Sequence, residues 1–194
     1  MEAPVDAAAD PLLLSVEDVF PLGRRGGVMV AGLIERGRVR AGDEVELVGF
    51  GAGTTAQVAA VETGGRPVGQ AAAGMNAGVL LPRVPAGTVE RGQVLAAPGS
   101  IGGHAAFAAD IALAAAEEGG AEVHSGGSLV FCVRAAVLQG IVTLPDGTGT
   151  LKPLHLSTVT VGLDRAVALE EGQRFAVRHR GRAAGSGVVT ALLG

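Results

Sequence analysis

Residues 16–37 read VEDVFPLGRRGGVMVAGLIERG, and this stretch carries the pattern that decides the fold. A β-prone run with two adjacent carboxylates, Glu17 and Asp18, leads into a turn rich in glycine and arginine. A second apolar run, Val28 to Ile34, follows that turn. Short apolar, branched runs separated by glycine and proline are typical of antiparallel strands joined by short loops. The stretch therefore predicts a strand–turn–strand unit with a polar, acidic strand end.

The same alternation of apolar runs with glycine and proline continues along the chain and predicts two series of about six strands each. Between the series, the PGSIGG segment at 98–103 would interrupt any strand ladder. Closure into a barrel removes exposed sheet edges, so two series of this size favour two closed barrels. We predict an all-β fold with two consecutive closed antiparallel β-barrels of about six strands each; a single large sandwich is the alternative. The predicted divisions are a disordered lead over 1–10, a first barrel over 11–99 and a second over 100–194.

The composition excludes two classes of function. The chain has no Trp, no Tyr and five scattered Phe, so it lacks an aromatic platform for stacking single-stranded bases. Its one lysine, Lys152, is followed by Pro153, whereas a P-loop needs lysine followed by Ser or Thr to reach the phosphates. The chain is therefore not expected to hydrolyse a nucleoside triphosphate by itself.

Catalytic, metal and membrane features are not expected either. The single cysteine, Cys132, excludes an intramolecular disulfide and a multi-cysteine metal site, and is interpreted as a buried small hydrophobe. The four histidines have no spacing that places two on one face. We expect no catalytic residues, no metal and no cofactor. No secretory signal and no apolar run of ~20 residues is found, which indicates a cytoplasmic protein without membrane or DNA partners.

The densest basic cluster is RFAVRHRGR at 174–182. On a strand and its following turn, these arginines could bind phosphates, because the guanidinium is a good bidentate donor. The alternative is a solvated face, balanced by the 19 acidic residues of the chain.

Several stretches together resemble bacterial elongation factor Tu. Those similar to its second domain are VEDVF (16–20), IERG (34–37), AGDEV (41–45), NAGVLL (76–81) and ERGQVLAAPG (90–99). Those similar to its third domain are VTLP (142–145) and the RFAVR, GR and GSGVV segments within 174–189. The resemblance runs from about Pro11 to Gly194, and by it the chain is identified as a member of this family.

The resemblance implies a fold and a role in protein biosynthesis. In that family the two domains are β-barrels that follow an N-terminal GTPase domain and hold aminoacyl-tRNA. The chain is therefore expected to be a truncated, non-catalytic relative that binds tRNA without its own GTPase. Two alternatives stay open. One is a protein-interaction module that binds a separately encoded partner after loss of tRNA binding, and the other is a fragment of a full-length factor.

The resemblance also implies two sets of site residues. The pocket for the aminoacyl group and terminal adenosine would consist of Glu17, Asp18, Phe20, Glu62 and Asn76. Contacts to the tRNA backbone would come from Arg178, Arg180, Arg182, Gly185 and Gly187, through guanidinium groups and main-chain N–H groups.

The chain departs from the family pattern around both sets. Ala31 stands where the family has a threonine, and the preceding turn holds an extra residue around Arg24 and Arg25. The polar and aromatic residues that the family carries in the stretches matching 119–124 and 126–131 are replaced here. In the family these surfaces help to meet the GTPase domain and tRNA.

Overall fold

The structure is a computed structural model that describes residues 9–51 and 53–194. The chain divides into two compact units, the first ending at Ile101 and the second running from Gly102 to Gly194. The disordered lead predicted over 1–10 lies outside the described residues, except for a turn at Ala9 and Asp10. The all-β fold class is confirmed, and the single large sandwich is not what forms.

Within residues 9–51 and 53–101, the first unit has eleven strands rather than about six. They are β1 (Leu13–Ser15), β2 (Asp18–Pro21), β3 (Val28–Arg36), β4 (Arg38–Arg40), β5 (Glu44–Val48), β6 (Thr54–Gln57), β7 (Ala60–Thr63), β8 (Arg66–Val68), β9 (Gln70–Ala72), β10 (Asn76–Leu81) and β11 (Val94–Ala96). One reason for the larger number is that glycines at positive φ interrupt extended segments and divide them into shorter strands. Gly37, at φ 75°, separates β3 from β4, and a Cβ there would lie 2.6 Å from Leu12 Cα.

Nine strands of the first unit form one curled sheet. Its order is β6-β5-β11-β1-β3-β10-β7-β8, with β2 also paired to β3, while β4 and β9 form a separate pair. The sheet encloses an apolar core that includes Leu14, Val30 and Val79. The end strands of this sheet, β6 and β8, are not paired to each other in the described part of the chain. Between β6 and β7, Val58 N donates to the Asp43 carbonyl and Ala59 N donates to the Leu80 carbonyl. This segment therefore bridges the two sides of the curled half-barrel, which agrees with the predicted barrel domain. Pro67 in β8 lacks an N–H that further pairing there would use.

The second unit is built on a closed barrel of six strands, the number predicted. Its strands are β12 (Gly102–Leu113), β13 (Val123–His124), β14 (Gly127–Val133), β15 (Ala136–Thr143), β16 (Thr150–Leu151), β17 (Leu156–Leu169), β18 (Arg174–His179) and β19 (Arg182–Leu192). The barrel order is β12-β17-β15-β14-β18-β19, and β12 pairs with β19 to close it. The two remaining strands, β13 and β16, pair with each other.

Three phenylalanines that are far apart in sequence meet inside the barrel of the second unit. The rings of Phe107, Phe131 and Phe175 have centroid separations of 5.6 to 6.3 Å. Cys132, interpreted from sequence as buried, is half-buried instead. Since alternate residues of a strand face opposite sides, Cys132 lies outside the barrel while its neighbour Phe131 lies inside.

Helical structure in the described residues is limited to two short 3-10 turns, Gly23–Arg25 and Ala116–Glu118. Neither has the length or the apolar composition that a membrane-crossing helix needs.

Candidate ligand pocket and basic hairpin

One row of the first unit's sheet places two predicted carboxylates on the same face. Ala31 of β3 pairs with Asp18 of β2 on one side and with Gly78 of β10 on the other. Gly78 in turn pairs with Glu62 of β7. Residues directly opposite in neighbouring strands project to the same face. Asp18 and Glu62 therefore project from one face, separated by a methyl group and a glycine.

The glycine in that row makes space for the Glu62 side chain. A Cβ at Gly78 would lie 2.9 Å from Glu62 Cγ, 3.2 Å from Glu62 Oε1 and 3.1 Å from Met29 Sδ. The Glu62 side chain thus lies across the surface that Gly78 leaves open. Any side chain at position 78 would have to displace it.

The main chain at Glu17 is held from two sides. Its N–H donates to the carbonyl of Ala31 at 2.9 Å, and its carbonyl accepts from Arg91 Nη1 at 3.4 Å. The segment passes closely over Gly32, where a Cβ would clash with the Ser15 carbonyl oxygen and lie 3.3 Å from Glu17 N. The absence of a side chain at Gly32 is therefore what lets the acidic segment lie against β3.

The structure brings all five predicted pocket residues to one open cavity of about 310 Å³. Besides the three carboxylates of Glu17, Asp18 and Glu62, it is lined by Phe20 and Asn76. Phe20 is 53% exposed, so part of its side chain is accessible to a ligand. Among the described residues that line this cavity, hereafter the acidic pocket, none is Lys, Arg or His.

This set of groups suits a ligand with a positive charge and a flat or apolar part. Carboxylates make strong, charge-assisted hydrogen bonds with ammonium groups. The Asn76 side chain can both donate and accept, and the exposed aromatic ring can stack on a planar group or lie against a cation.

Sequence reasoning missed several lining residues of the acidic pocket. Met29 lies opposite Phe20 in the β2–β3 pair, and the Gly64–Gly65 turn, at φ 57° and 74°, follows Glu62. The strand register was the signal for Met29, because the partner of a pocket residue across a strand pair shares its face. Arg24 and Arg25, the extra turn residues, are not among the residues that line this pocket.

The predicted tRNA-backbone arginines lie at one hairpin of the second unit. His179 pairs with Arg182, and the two residues between them, Arg180 and Gly181, have φ of 49° and 79°. A two-residue turn with positive φ at both positions is the type I′ hairpin turn. The side chain of Arg178 is already engaged, since its Nη2 donates to the Gly181 carbonyl at 2.8 Å. We call residues 178–182 the basic hairpin; its three arginines are exposed.

The two predicted glycines are in a different environment. Gly185 and Gly187 lie in β19, which pairs with β18 on one side and β12 on the other. A Cβ at Gly187 would lie 2.5 Å from Phe175 Cζ, and one at Gly185 would clash with the Ala112 carbonyl oxygen. Both glycines are close-packed positions of the barrel, and the arginines are the exposed side chains of the predicted set.

A second cavity, of about 260 Å³, adjoins the basic hairpin at Arg180. Its polar lining residues are Glu122, His124, Ser128, His179 and Arg180. The His124 ring is held by a 2.9 Å hydrogen bond between its Nδ1 and Thr150 Oγ1. The histidines were not selected from sequence, because no regular spacing links residues that only the barrel brings together.

Comparison with known families gives one match in each unit. The family described as "Elongation factor Tu domain 2" matches residues 27–96, and "Elongation factor Tu C-terminal domain" matches residues 100–193. Two pocket residues, Glu62 and Asn76, fall within the first matched range, while Glu17, Asp18 and Phe20 precede it. The basic hairpin falls within the second.

Proposed function

We propose that this chain, which belongs to the elongation factor Tu family through that factor's second and third domains, binds aminoacyl-tRNA without a GTPase of its own. Membership in the family indicates a translation elongation factor-like fold. The aminoacyl end would lie in the acidic pocket and the tRNA backbone at the basic hairpin. On this proposal the protein acts with the translation machinery in the cytoplasm.

The observation that carries the proposal is the convergence of Glu17, Asp18, Phe20, Glu62 and Asn76 on one cavity. An aminoacyl ester presents an α-ammonium group next to a carbonyl, and a terminal base lies close by. The carboxylates would pair with the ammonium group, and Asn76 would donate to the ester carbonyl. The exposed ring of Phe20 would pack against the base or the amino-acid side chain.

The basic hairpin supports the same proposal with a weaker, less specific contribution. Phosphate contacts by arginine side chains position a nucleic acid, and their strength falls as salt rises. The formal net charge of the chain is −4, so attraction to RNA would be local to the hairpin rather than a property of the whole surface.

The experiment that tests the proposal compares binding of one tRNA in aminoacylated, N-acetylaminoacylated and deacylated forms. The pocket predicts that the aminoacylated form binds most tightly, because acetylation removes the positive charge and deacylation removes the whole aminoacyl group. Equal binding of the three forms, or no binding of any, would contradict it.

A second candidate function is a protein-interaction module. It is favoured by two pairs of large apolar side chains that the second unit exposes: Val137 and Ile141 on one face of β15, and Leu154 and Leu156 around the start of β17. Exposed apolar groups of this kind can take part in protein contacts. This candidate predicts a stable complex in pull-down that survives Glu17→Ala and Asn76→Ala; loss of the complex in those variants would count against it.

A further inference from the structure

We propose that the free edge of β6 binds an extended peptide segment that carries an acidic side chain, as an added strand of the first unit's sheet. The two ends of that sheet differ in chemistry. At one end, β8 carries Arg66 and Pro67, and both charge and proline prevent strand addition. At the other end, β6 reads TTAQ, with no charge and no proline. A third edge strand, β2, which is paired only to β3, carries Asp18 and Pro21. Among the described edges of this sheet, the β6 end alone therefore keeps the features of an edge open to pairing.

The register of the β5–β6 pair shows which main-chain groups of β6 are available. Val58 N donates to the Asp43 carbonyl at 2.9 Å, and the same register continues through Val45–Ala56 to Leu47–Thr54. Hydrogen-bonded pairs alternate with non-hydrogen-bonded pairs in an antiparallel ladder. The main-chain N–H and C=O groups of Thr55 and Gln57 therefore point away from β5, toward the open edge.

A groove runs beside this edge and is already formed. Its volume is about 360 Å³, and it is lined by the four residues of β6 together with Glu44, Arg83 and Val84. Val84 is 2% exposed and belongs to the core of the unit. The loop after it is held by a 2.7 Å hydrogen bond from Thr88 Oγ1 to the Pro85 carbonyl. The groove wall opposite β6 is thus anchored, which lowers the ordering cost of binding.

Arg83 determines the chemistry of the segment that fits. In residues 9–51 and 53–194 its guanidinium has no ion-pair partner, and it is the sole cation among the groove-lining residues described. A carboxylate on the added strand would supply that partner. Glu44 pairs with Gln57, so its carboxylate disfavours a second acid near that end of β6. The segment expected is β-prone, otherwise uncharged, and carries one Asp or Glu.

The test uses the full chain labelled with ¹⁵N and two synthetic peptides, acetyl-STVEVTS-amide and its counterpart with lysine in place of glutamate. The acidic peptide should shift the amide resonances of residues 54–57 and 83 in a saturable way, and the lysine peptide should bind at least about tenfold more weakly. In Arg83→Glu the preference should reverse. Arg66→Glu, at the protected edge, is the matched control and should change neither titration.

Two further measurements separate strand addition from other outcomes. An acidic peptide that is N-methylated at each amide facing β6 should not bind, because it has no N–H to donate to the carbonyl groups of that edge. This test changes the peptide and leaves the protein unaltered. Thr55→Pro should also abolish binding while aminoacyl-tRNA binding is retained. Peptide shifts that avoid β6, equal binding of both peptides, or self-association of the chain through β6 would overturn the proposal. None of these outcomes bears on the acidic pocket.

Discussion

The side chain of Glu62 lies across Gly78, with its Cγ 2.9 Å and its Oε1 3.2 Å from where a Cβ of residue 78 would stand. The two residues are directly opposite each other in the β7–β10 pair. The position of one acidic group in the pocket therefore depends on the absence of a side chain in the neighbouring strand. This relationship links the fold to the proposed ligand site.

Gly78→Ala should displace the Glu62 carboxylate and weaken binding of aminoacyl-tRNA by about tenfold, while binding of deacylated tRNA changes little. Filter binding or fluorescence titration would measure both. Gly69→Ala is the matched control, because a Cβ at Gly69 meets no atom within 4 Å. Equal effects of the two substitutions would show that Glu62 does not act at the site.

Neutralising the acidic segment should reduce selectivity for the charged tRNA. Asp18→Asn and Glu17→Gln keep the size of each side chain but remove its charge, and a hydrogen bond to a charged group contributes about 1.5–3 kcal/mol. We expect each to lower the ratio of aminoacylated to deacylated binding by about tenfold or more. Glu44→Gln, an exposed carboxylate outside the acidic pocket, serves as control. A selectivity ratio that is the same in all three variants would contradict the assignment.

The arginines of the basic hairpin should differ in their effect on RNA affinity. Arg180→Gln and Arg182→Gln should each weaken binding of charged and deacylated tRNA alike and lower the slope of log K against log salt by about 1. Arg178→Gln should have a smaller effect on RNA affinity, since its Nη2 already donates to the Gly181 carbonyl at 2.8 Å. Titrations at several salt concentrations would measure this, and an unchanged slope in Arg180→Gln and Arg182→Gln would place the RNA backbone elsewhere.

Gly187→Ala should destabilise the second unit by about 1–3 kcal/mol, because the new methyl group would overlap the Phe175 ring and the Asp110 carbonyl. Thermal or urea unfolding would measure the change. Gly162→Ala, in β17 of the same barrel, places its Cβ where no atom lies within 4 Å, and we expect little loss of stability there. Equal stability of the two variants would mean that the barrel rearranges around position 187.

Much of the fold follows from local sequence, since glycine and proline punctuation and strand alternation are local signals. The all-β class and the six-stranded second barrel are of this kind. The convergence of Phe107, Phe131 and Phe175 is not, because barrel closure and register decide which distant residues meet. The curled sheet of the first unit agrees with the predicted barrel, but its order of strands depends on pairings between distant segments that local sequence does not show.

In the candidate site, too, some features follow from local sequence and others depend on long-range strand pairing. The acidic segment at Glu17 and Asp18 is visible as a motif, but its pairing with β3, and so its distance from Glu62 and Asn76, depends on long-range register. The motif that contains Gly185 and Gly187 does not show that Ala112 and Phe175 pack closely against them, and their part in tRNA-backbone binding stays a prediction.

The most direct test of the account is a binding titration of the full chain with one tRNA in its aminoacylated and deacylated forms at fixed, moderate salt. The account predicts tighter binding of the aminoacylated form, with the difference lost in the double variant Glu17→Gln, Asp18→Asn. Equal affinity of the two forms for the unsubstituted protein would contradict the account.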